Sequence, residues 1–277
     1  MRRRNTWTAA RLVRLERQTI VGFLYADRLQ VSSVGPDHYL LVLSDSSLPL
    51  GSFAFSSGLE SFIAHHRPHL VGQVELQKFI VLSIASVSST VLPYMLAAHR
   101  RPQDLMKLDN DLDASTLCHV AKRASVTQGR ALLGVWNRSF ASNYGYWSKD
   151  KSSVQALKAF TVALRQAHPT PSSTQPEGHF PVLWGAVNHA TSIPLKTAAY
   201  VFLFKHAQSL LSAAVRASVI GPYQAQTFLA CGWLQQSLMC ALDMEWETRI
   251  EDAGQVVPLM DLWVGLHEKL YSRIFNS

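Results

Sequence analysis

The chain has 277 residues, of which 48 % are hydrophobic and only 16 % charged, so it can form one large buried core or two small ones. The formal net charge of +7 would suggest a nucleic-acid or acidic membrane partner, but residues 1–30 hold seven arginines against one glutamate and one aspartate. The charge therefore excludes a nucleic-acid footprint on the rest of the chain.

The cysteine pattern and the absence of nucleotide-binding motifs exclude further classes of protein. Cys118, Cys231 and Cys240 are an odd number without C-x-x-C spacing, which argues against a disulfide framework and predicts free thiols in a reducing, cytoplasmic compartment. The sequence contains no P-loop, no dinucleotide-binding G-x-G-x-x-G and no zinc-protease H-E-x-x-H. We therefore expect no enzymatic activity, and any nucleotide chemistry would belong to a partner.

Residues 1–38 form a basic segment ahead of the first predicted helix. It lacks the long apolar core of a secretory signal and only weakly resembles a mitochondrial transit peptide. We interpret it as an appended extension, and a disordered tail or a misassigned start site is favoured over targeting.

The stretch from Tyr39 to Glu60 is rich in residues with special backbone requirements. Tyr39 to Leu43 reads as a short helix that must end near Ser47, because Pro49 restricts the residue before it and Gly51 permits a turn. Ser57-Gly58-Leu59-Glu60 has the S-x-x-E spacing of a capping box. It predicts a second helix from Leu59 to about Ala64, with Glu60 in a structural role.

This stretch resembles the N-terminal signature D-S-x-x-P-x-G-x-F-x-H-S-x-G-L-E of the urease accessory protein F (UreF) family. Phe55 departs from the pattern, because many members carry histidine there, so no role of that histidine transfers. The resemblance implies an all-helical, non-enzymatic protein, and we expect a eukaryotic, fungal-like member. The matching residues are Asp45, Ser46, Pro49, Gly51, Phe53, Ser56, Gly58, Leu59 and Glu60.

Two segments invite other readings. His65, His66 and His69 are candidate metal ligands, because nickel and zinc favour imidazole, but no carboxylate or cysteine lies beside them and a solvated turn is favoured.

Residues 79–98 are uncharged and long enough for a membrane span. Hydroxyl side chains and Pro93 instead favour a helix buried in a bundle, with a break near the proline.

Residues 113 to about 140 predict a long helix, with Asp113 or Ser115 as its cap and Leu117 among its apolar positions. Its middle resembles the second family motif, R-A-S-x-x-Q-G-R. Arg123 and Arg130 lie on one face, and the small residues allow another helix to approach closely. For both arginines a packing or partner role is favoured over a solvated face. The motif residues taken as candidates are Arg123, Ser125, Gln128, Gly129 and Arg130.

The second half of the sequence predicts a helix over about 153–168, followed by a loop over 169–178. It also predicts two helices, over 195–218 and 223–242, separated by Gly221-Pro222. His179, before a proline, resembles the family's entry to the next helix and is expected to make hydrogen bonds there. Arg216 lies in a stretch that resembles the family's A-A-V-R motif. It is assigned to capping helix-end carbonyls, with a partner contact as the alternative.

The last residues resemble the family's terminal pattern Y-S-R-L-F-x-S through Tyr271, Ser272, Arg273 and Phe275. Tyrosine, arginine and phenylalanine are frequent at interfaces. We expect a partner to hold this segment, with Arg273 as the strongest contact, so that deleting it leaves the fold intact.

The sequence predicts one all-α domain over 39–277 with about eight to ten helices. The resemblance implies a urease maturation factor that bridges the scaffold accessory protein D (or H) and the GTPase accessory protein G. It also implies a homodimer within that complex and nickel delivery to apo-urease, with nickel and GTP handled by the partners. The alternative is a membrane-associated or small-molecule-binding helical protein, suggested by residues 79–98 and the basic N-terminus.

Overall fold

The protein is all-α, as predicted. A computed structural model describes residues 35–66, 71–141, 151–166 and 175–276, and within them lie twelve α-helices and no strand. The helices are α1 Pro36–Ser44, α2 Leu59–His65, α3 Gln73–Thr90, α4 Leu92–Arg100, α5 Leu105–Ser115, α6 His119–Val135, α7 Lys151–Gln166, α8 Phe180–Ala190, α9 Leu195–Arg216, α10 Pro222–Ala230, α11 Gly232–Glu245 and α12 Pro258–Leu266.

Helix α8 lies at the centre of the bundle. Nine of its eleven residues are buried, and it packs chiefly against α4 and α6, with α7 and α9 alongside. The contact with α4 is close because position 185 is glycine. A Cβ there would overlap the carbonyl oxygen of Met95. The fully buried Trp184 donates its indole N–H to the Ala198 carbonyl of α9 at 3.1 Å, which joins α8 to the longest helix.

The uncharged stretch 79–98 is a bent pair of core helices. Helix α3 ends at Thr90, α4 begins at Leu92 with Pro93 in its first turn, and the two axes differ by 44°. Eight of the nine residues of α4 are buried within the chain. Among the described helices, none is by itself long and apolar enough to cross a membrane, and only this bent pair passes such a test jointly.

Three predicted boundaries are wrong. The helix expected to start at 113 is two helices, since α5 ends at Ser115 and α6 begins at His119 after a non-helical Thr116 and Cys118. Leu117, expected in the core, is almost fully exposed in this break. The helix expected over 223–242 is likewise interrupted at Cys231, and α1 begins at Pro36 rather than at Tyr39.

Some predictions fall on residues that the structure does not describe. These are residues 1–34 of the extension, His69 and most of the 169–178 loop. All three cysteines are free thiols, as the sequence predicts.

Candidate functional site

The signature between α1 and α2 is a compact, non-helical connection. The Asp45 carboxylate accepts the Ser47 backbone N–H at 2.9 Å, which lowers the pKa of Asp45. Gly51 has φ +69°, a conformation that few other residues tolerate, and it opens a short 3₁₀ turn over Ser52–Ala54. This turn projects Phe53 outward, so that 69 % of it is exposed, while Phe55 points into the core.

The predicted capping box does not form. Ser57 has φ +50° and Gly58 φ +84°, and the Glu60 backbone N–H donates to Ser56 Oγ at 3.4 Å, one residue earlier than the spacing suggested. Gly58 is buried against the backbone of α12 near Val264, where a Cβ would be crowded. The Glu60 side chain therefore does not turn back to its own helix end.

Glu60 instead binds the C-terminal segment, Tyr271–Asn276. Its carboxylate accepts the backbone N–H of Ile274 at 2.5 Å and that of Phe275 at 3.1 Å, and it also accepts Nε2–H of the fully buried His267 at 2.9 Å. Hydrogen bonds to a charged acceptor are about twice as strong as neutral ones. We call this arrangement the Glu60 clasp.

Phe275 is the hydrophobic anchor of that segment. Only 4 % of it is exposed, and the guanidinium carbon of Arg216 lies 4.4 Å from its ring centroid, a cation–π contact. Arg216 also donates to the Ser212 carbonyl of its own helix at 3.3 Å, which is not one of the last four carbonyls of α9 that it was predicted to cap. The expectation that the chain's own core would not hold this segment is thus wrong for Phe275.

Arg123 of the second motif completes the attachment. Its Nη2 donates to the Asn276 carbonyl at 3.0 Å and to Glu268 Oε1 at 2.9 Å, which lowers the pKa of Glu268. On the other side of the segment, the Asn276 N–H donates to the Ala54 carbonyl of the signature turn at 2.7 Å. The signature, the second motif, Arg216 and the C-terminal segment therefore meet at one place.

The rest of the second motif holds the entry to α8. His179 caps that entry with extended backbone and is fully buried; its ring contacts Ser125 Oγ and Asp113 Oδ1, both at 3.1 Å. Burial would raise the pKa of Asp113, but hydrogen bonds from Lys122 and His179 outweigh it and lower the pKa. Asp113, predicted as a helix cap, thus belongs to this network, and neither it nor Ser115 caps α6.

Small residues let the chain pass closely over α6 at this entry. A Cβ on Gly129 would overlap the Gly178 carbonyl oxygen, and Arg130 donates to the backbone carbonyl and side chain of Glu177 at 2.8 and 3.0 Å. The predicted close approach is therefore confirmed, although the partner is the turn before α8. Gln128 only donates to the Ala124 carbonyl of its own helix, at 3.3 Å.

Sequence reasoning missed Asp109, which organises this turn. Its carboxylate is fully buried and accepts the N–H groups of Glu177, Gly178 and His179 at 2.7, 3.0 and 2.6 Å. The signal that could have found it is the helical spacing of its buried neighbours Leu105, Leu108 and Leu112, which places an aspartate on an apolar face.

The histidine cluster does not assemble a metal site in the described part of the chain. His65 Nδ1 contacts the Ser61 carbonyl at 2.8 Å, and His66 Nδ1 contacts the Phe62 carbonyl at 3.1 Å. Among the described residues, no group of three histidine, cysteine or acidic side chains is placed to hold a metal ion.

The exposed residues of the site form what we call the docking surface: Phe53, Tyr271, Arg273 and Ile274. Tyr271 is fully exposed and Ile274 is 67 % exposed, although the adjacent Phe275 is buried. The Asn276–Ala54 hydrogen bond brings this segment beside the turn that carries Phe53. Exposed aromatic and branched side chains on a rigidly held segment are typical of protein-binding surfaces.

Several known proteins are similar to this chain over most of its length. Residues 71–231 match the UreF family model. The uncharacterized urease accessory protein UreF-like of Schizosaccharomyces pombe is 34 % identical over 87 % of this chain and 97 % of its own. Urease accessory protein 6 of Cryptococcus neoformans is 26 % identical over 87 % of this chain and 96 % of its own length. Urease accessory protein F of Oryza sativa is 30 % identical over 84 % of this chain and 82 % of its own length. The chain therefore belongs to the UreF family of urease accessory proteins.

Proposed function

We propose that this chain is a non-enzymatic urease maturation factor that links the scaffold accessory protein D (or H) to the GTPase accessory protein G. In this proposal the two partners handle GTP and nickel, the complex delivers nickel to apo-urease, and the chain acts in the cytoplasm as a homodimer within the complex. The relatives named above are urease accessory proteins, which supports the maturation role.

The observation that carries the contact with the scaffold protein is the docking surface. The Glu60 clasp and buried Phe275 fix the backbone of the C-terminal segment, so the exposed Tyr271, Arg273 and Ile274 are held in order before any partner arrives. A surface that is already ordered loses less conformational entropy on binding. We assign it to the scaffold accessory protein, because side chains of this kind dominate the energetics of protein interfaces.

Replacing one exposed aromatic residue tests this assignment. Tyr271→Ala should weaken binding to the purified scaffold accessory protein at least tenfold in a biolayer assay, because an aromatic hot spot contributes about 2 kcal/mol or more. Tyr223→Ala is the matched control, since Tyr223 is 88 % exposed but lies on α10, outside the docking surface. Both variants should keep the parental melting temperature. Equal affinities of the two variants would refute the assignment.

Two experiments test whether the partners, and not this chain, handle GTP and nickel. Co-purification with the scaffold and GTPase proteins, with and without GTP, should give one complex only when all three chains are present. Equilibrium dialysis of the untagged chain with Ni²⁺ alone should show no stoichiometric sub-micromolar binding. If it does, replacing His65, His66 and His69 together will show whether that cluster holds the metal.

A further inference from the structure

A cavity of about 820 Å³ lies beside the signature, between α3 and α9. It is lined by both helices, by the connection from α1 to α2, and by residues of α6, α10 and α12. Its volume falls in the range of cavities that hold small organic ligands, about 300–1,000 Å³. Neither the clasp nor the docking surface accounts for a cavity of this size.

The polar groups of the cavity have a regular origin. Lys205, Ser209, Ser212 and Arg216 follow one another on α9 at spacings of four, three and four residues, which places them on one face. Apolar side chains of the signature and of α3, among them Phe55 and Val87, also line it. The wall of the cavity is mostly apolar, although many other polar side chains, including Asp45 and Asp261, also line it, and apolar walls that carry polar groups are typical of a ligand site.

Lys205 is the cation at one end of this row. Its Nζ donates to the Asp45 backbone carbonyl at 3.4 Å, and no carboxylate of the described residues lies within salt-bridge distance. Burial lowers the pKa of Lys205, and the attraction of Asp45 offsets this only in part. A cation that is partly removed from water, as Lys205 is, gains free energy when an anion reaches it.

The neighbouring His206 adds hydrogen-bonding capacity without charge. Its Nε2 lies 2.8 Å from Ser83 Oγ, and burial lowers its pKa to about 4, so the imidazole is neutral near pH 7. The positive charge at this end of the cavity therefore belongs to Lys205 alone, while Arg216, at the other end of the α9 row, is engaged with Phe275.

We propose that this cavity binds an amphipathic organic anion, with the carboxylate, sulfonate or phosphate head at Lys205 and the apolar body against Phe55, Val87 and Phe202. The apolar walls favour a ligand with a hydrophobic body over a bare inorganic ion. Of the four docking-surface residues, Phe53 also lines the cavity, so the occupancy of the cavity is measured on the isolated chain, where no partner covers Phe53.

The test uses the fluorescent anion 1-anilinonaphthalene-8-sulfonate and its uncharged relative N-phenyl-1-naphthylamine on the full chain at pH 7. The sulfonate should bind with a stoichiometry of one, and octanoate should displace it. Lys205→Met should weaken sulfonate binding at least tenfold and leave binding of the uncharged probe unchanged. Lys196→Met is the matched control, because Lys196 is an exposed lysine of the same helix outside the cavity.

Three results would overturn the proposed anion site at Lys205. Equal sulfonate affinity of the parent and Lys205→Met would overturn the proposal, as would an equal loss in Lys196→Met. If Lys205→Met does not fold, Lys205→Arg keeps the charge and decides the question: it should retain sulfonate binding within about threefold and remain sensitive to octanoate. Loss of binding in a folded Lys205→Arg that still binds the uncharged probe would also refute an electrostatic site for the head group.

Discussion

Glu60→Gln is the sharpest perturbation of the clasp, because it preserves the size of the side chain and removes one acceptor oxygen. Three donors converge on the carboxylate: Ile274 N–H on Oε1, and Phe275 N–H and His267 Nε2–H on Oε2. A glutamine can orient its single oxygen toward the last two only, and its NH₂ group then faces the N–H of Ile274. One half-buried donor is left unsatisfied and two hydrogen bonds lose their charge assistance.

The magnitude follows from these losses. An unsatisfied half-buried donor costs about 1 kcal/mol, the low end for such groups, and each change from a charged to a neutral acceptor costs about 1 kcal/mol, which gives about 3 kcal/mol in total. The measured loss cannot exceed the free energy that holds the C-terminal segment, since the segment can detach instead. At about 2–4 °C per kcal/mol for a domain of this size, we expect the melting temperature to fall by about 10 °C.

Thermal denaturation gives the global readout and trypsin gives the local one. Cleavage after the exposed Arg273 should be several-fold faster in Glu60→Gln, with the shortened chain identified by mass spectrometry, because the clasp no longer restrains the following bond. Glu247→Gln is the control, since Glu247 is an exposed glutamate in the turn that follows α11. If both variants melt and are cleaved like the parent, the clasp does not stabilise the segment.

Three further predictions concern the core. Gly185→Ala should destabilise the protein by about 1–3 kcal/mol in urea unfolding, because its Cβ would overlap a backbone carbonyl of α4. The control Gly134→Ala has open space around its Cβ on α6 and should stabilise the protein by up to about 1 kcal/mol. Effects of the same sign in the two variants would contradict the packing of α8. Burial lowers the pKa of His206 from 6.5 to about 4, so between these values the unfolded chain binds a proton that the folded protein does not, and stability falls as the pH drops. His206→Gln should therefore lose about 2 kcal/mol less than the parent between pH 7.5 and 5, and parallel pH profiles would refute this. Asp109→Asn should lower the free energy of unfolding by about 2–4 kcal/mol in the same urea series, because the new NH₂ group would face buried backbone N–H donors. A decrease under about 0.5 kcal/mol would show that the turn before α8 is stable without these hydrogen bonds.

Local chemistry predicted the helices well where glycine or proline marks their ends. Helix α9 was expected over 195–218 and runs Leu195–Arg216, because Pro194 precedes it and the Gly221-Pro222 pair follows it closely. The interruptions at Leu117 and Cys231 were missed, since those residues carry no helix-breaking signal of their own. Tertiary packing set these breaks, and packing is not readable from a window of a few residues.

The candidate site was predictable in its members but not in its connections. The S-x-x-E spacing around Glu60 indicated a contact three residues away, whereas the donors that the structure gives Glu60 lie 207 to 215 residues further along the chain. No periodicity encodes such a contact. The family motifs identified Arg123, Arg216 and Phe275 separately, and only the fold shows that they hold one segment.

The sequence distance across the Glu60 clasp bears on synthesis as well as on stability. Phe275 is made 215 residues after Glu60, which at 5–20 residues per second is a delay of roughly 10–40 s. For most of that interval the carboxylate lacks all three of its donors, since His267 is itself made 207 residues after Glu60, and burying the carboxylate unpaired would be unfavourable. The region around α2 therefore cannot reach its final packing before Phe275 has been made, and until then this end of the bundle stays open.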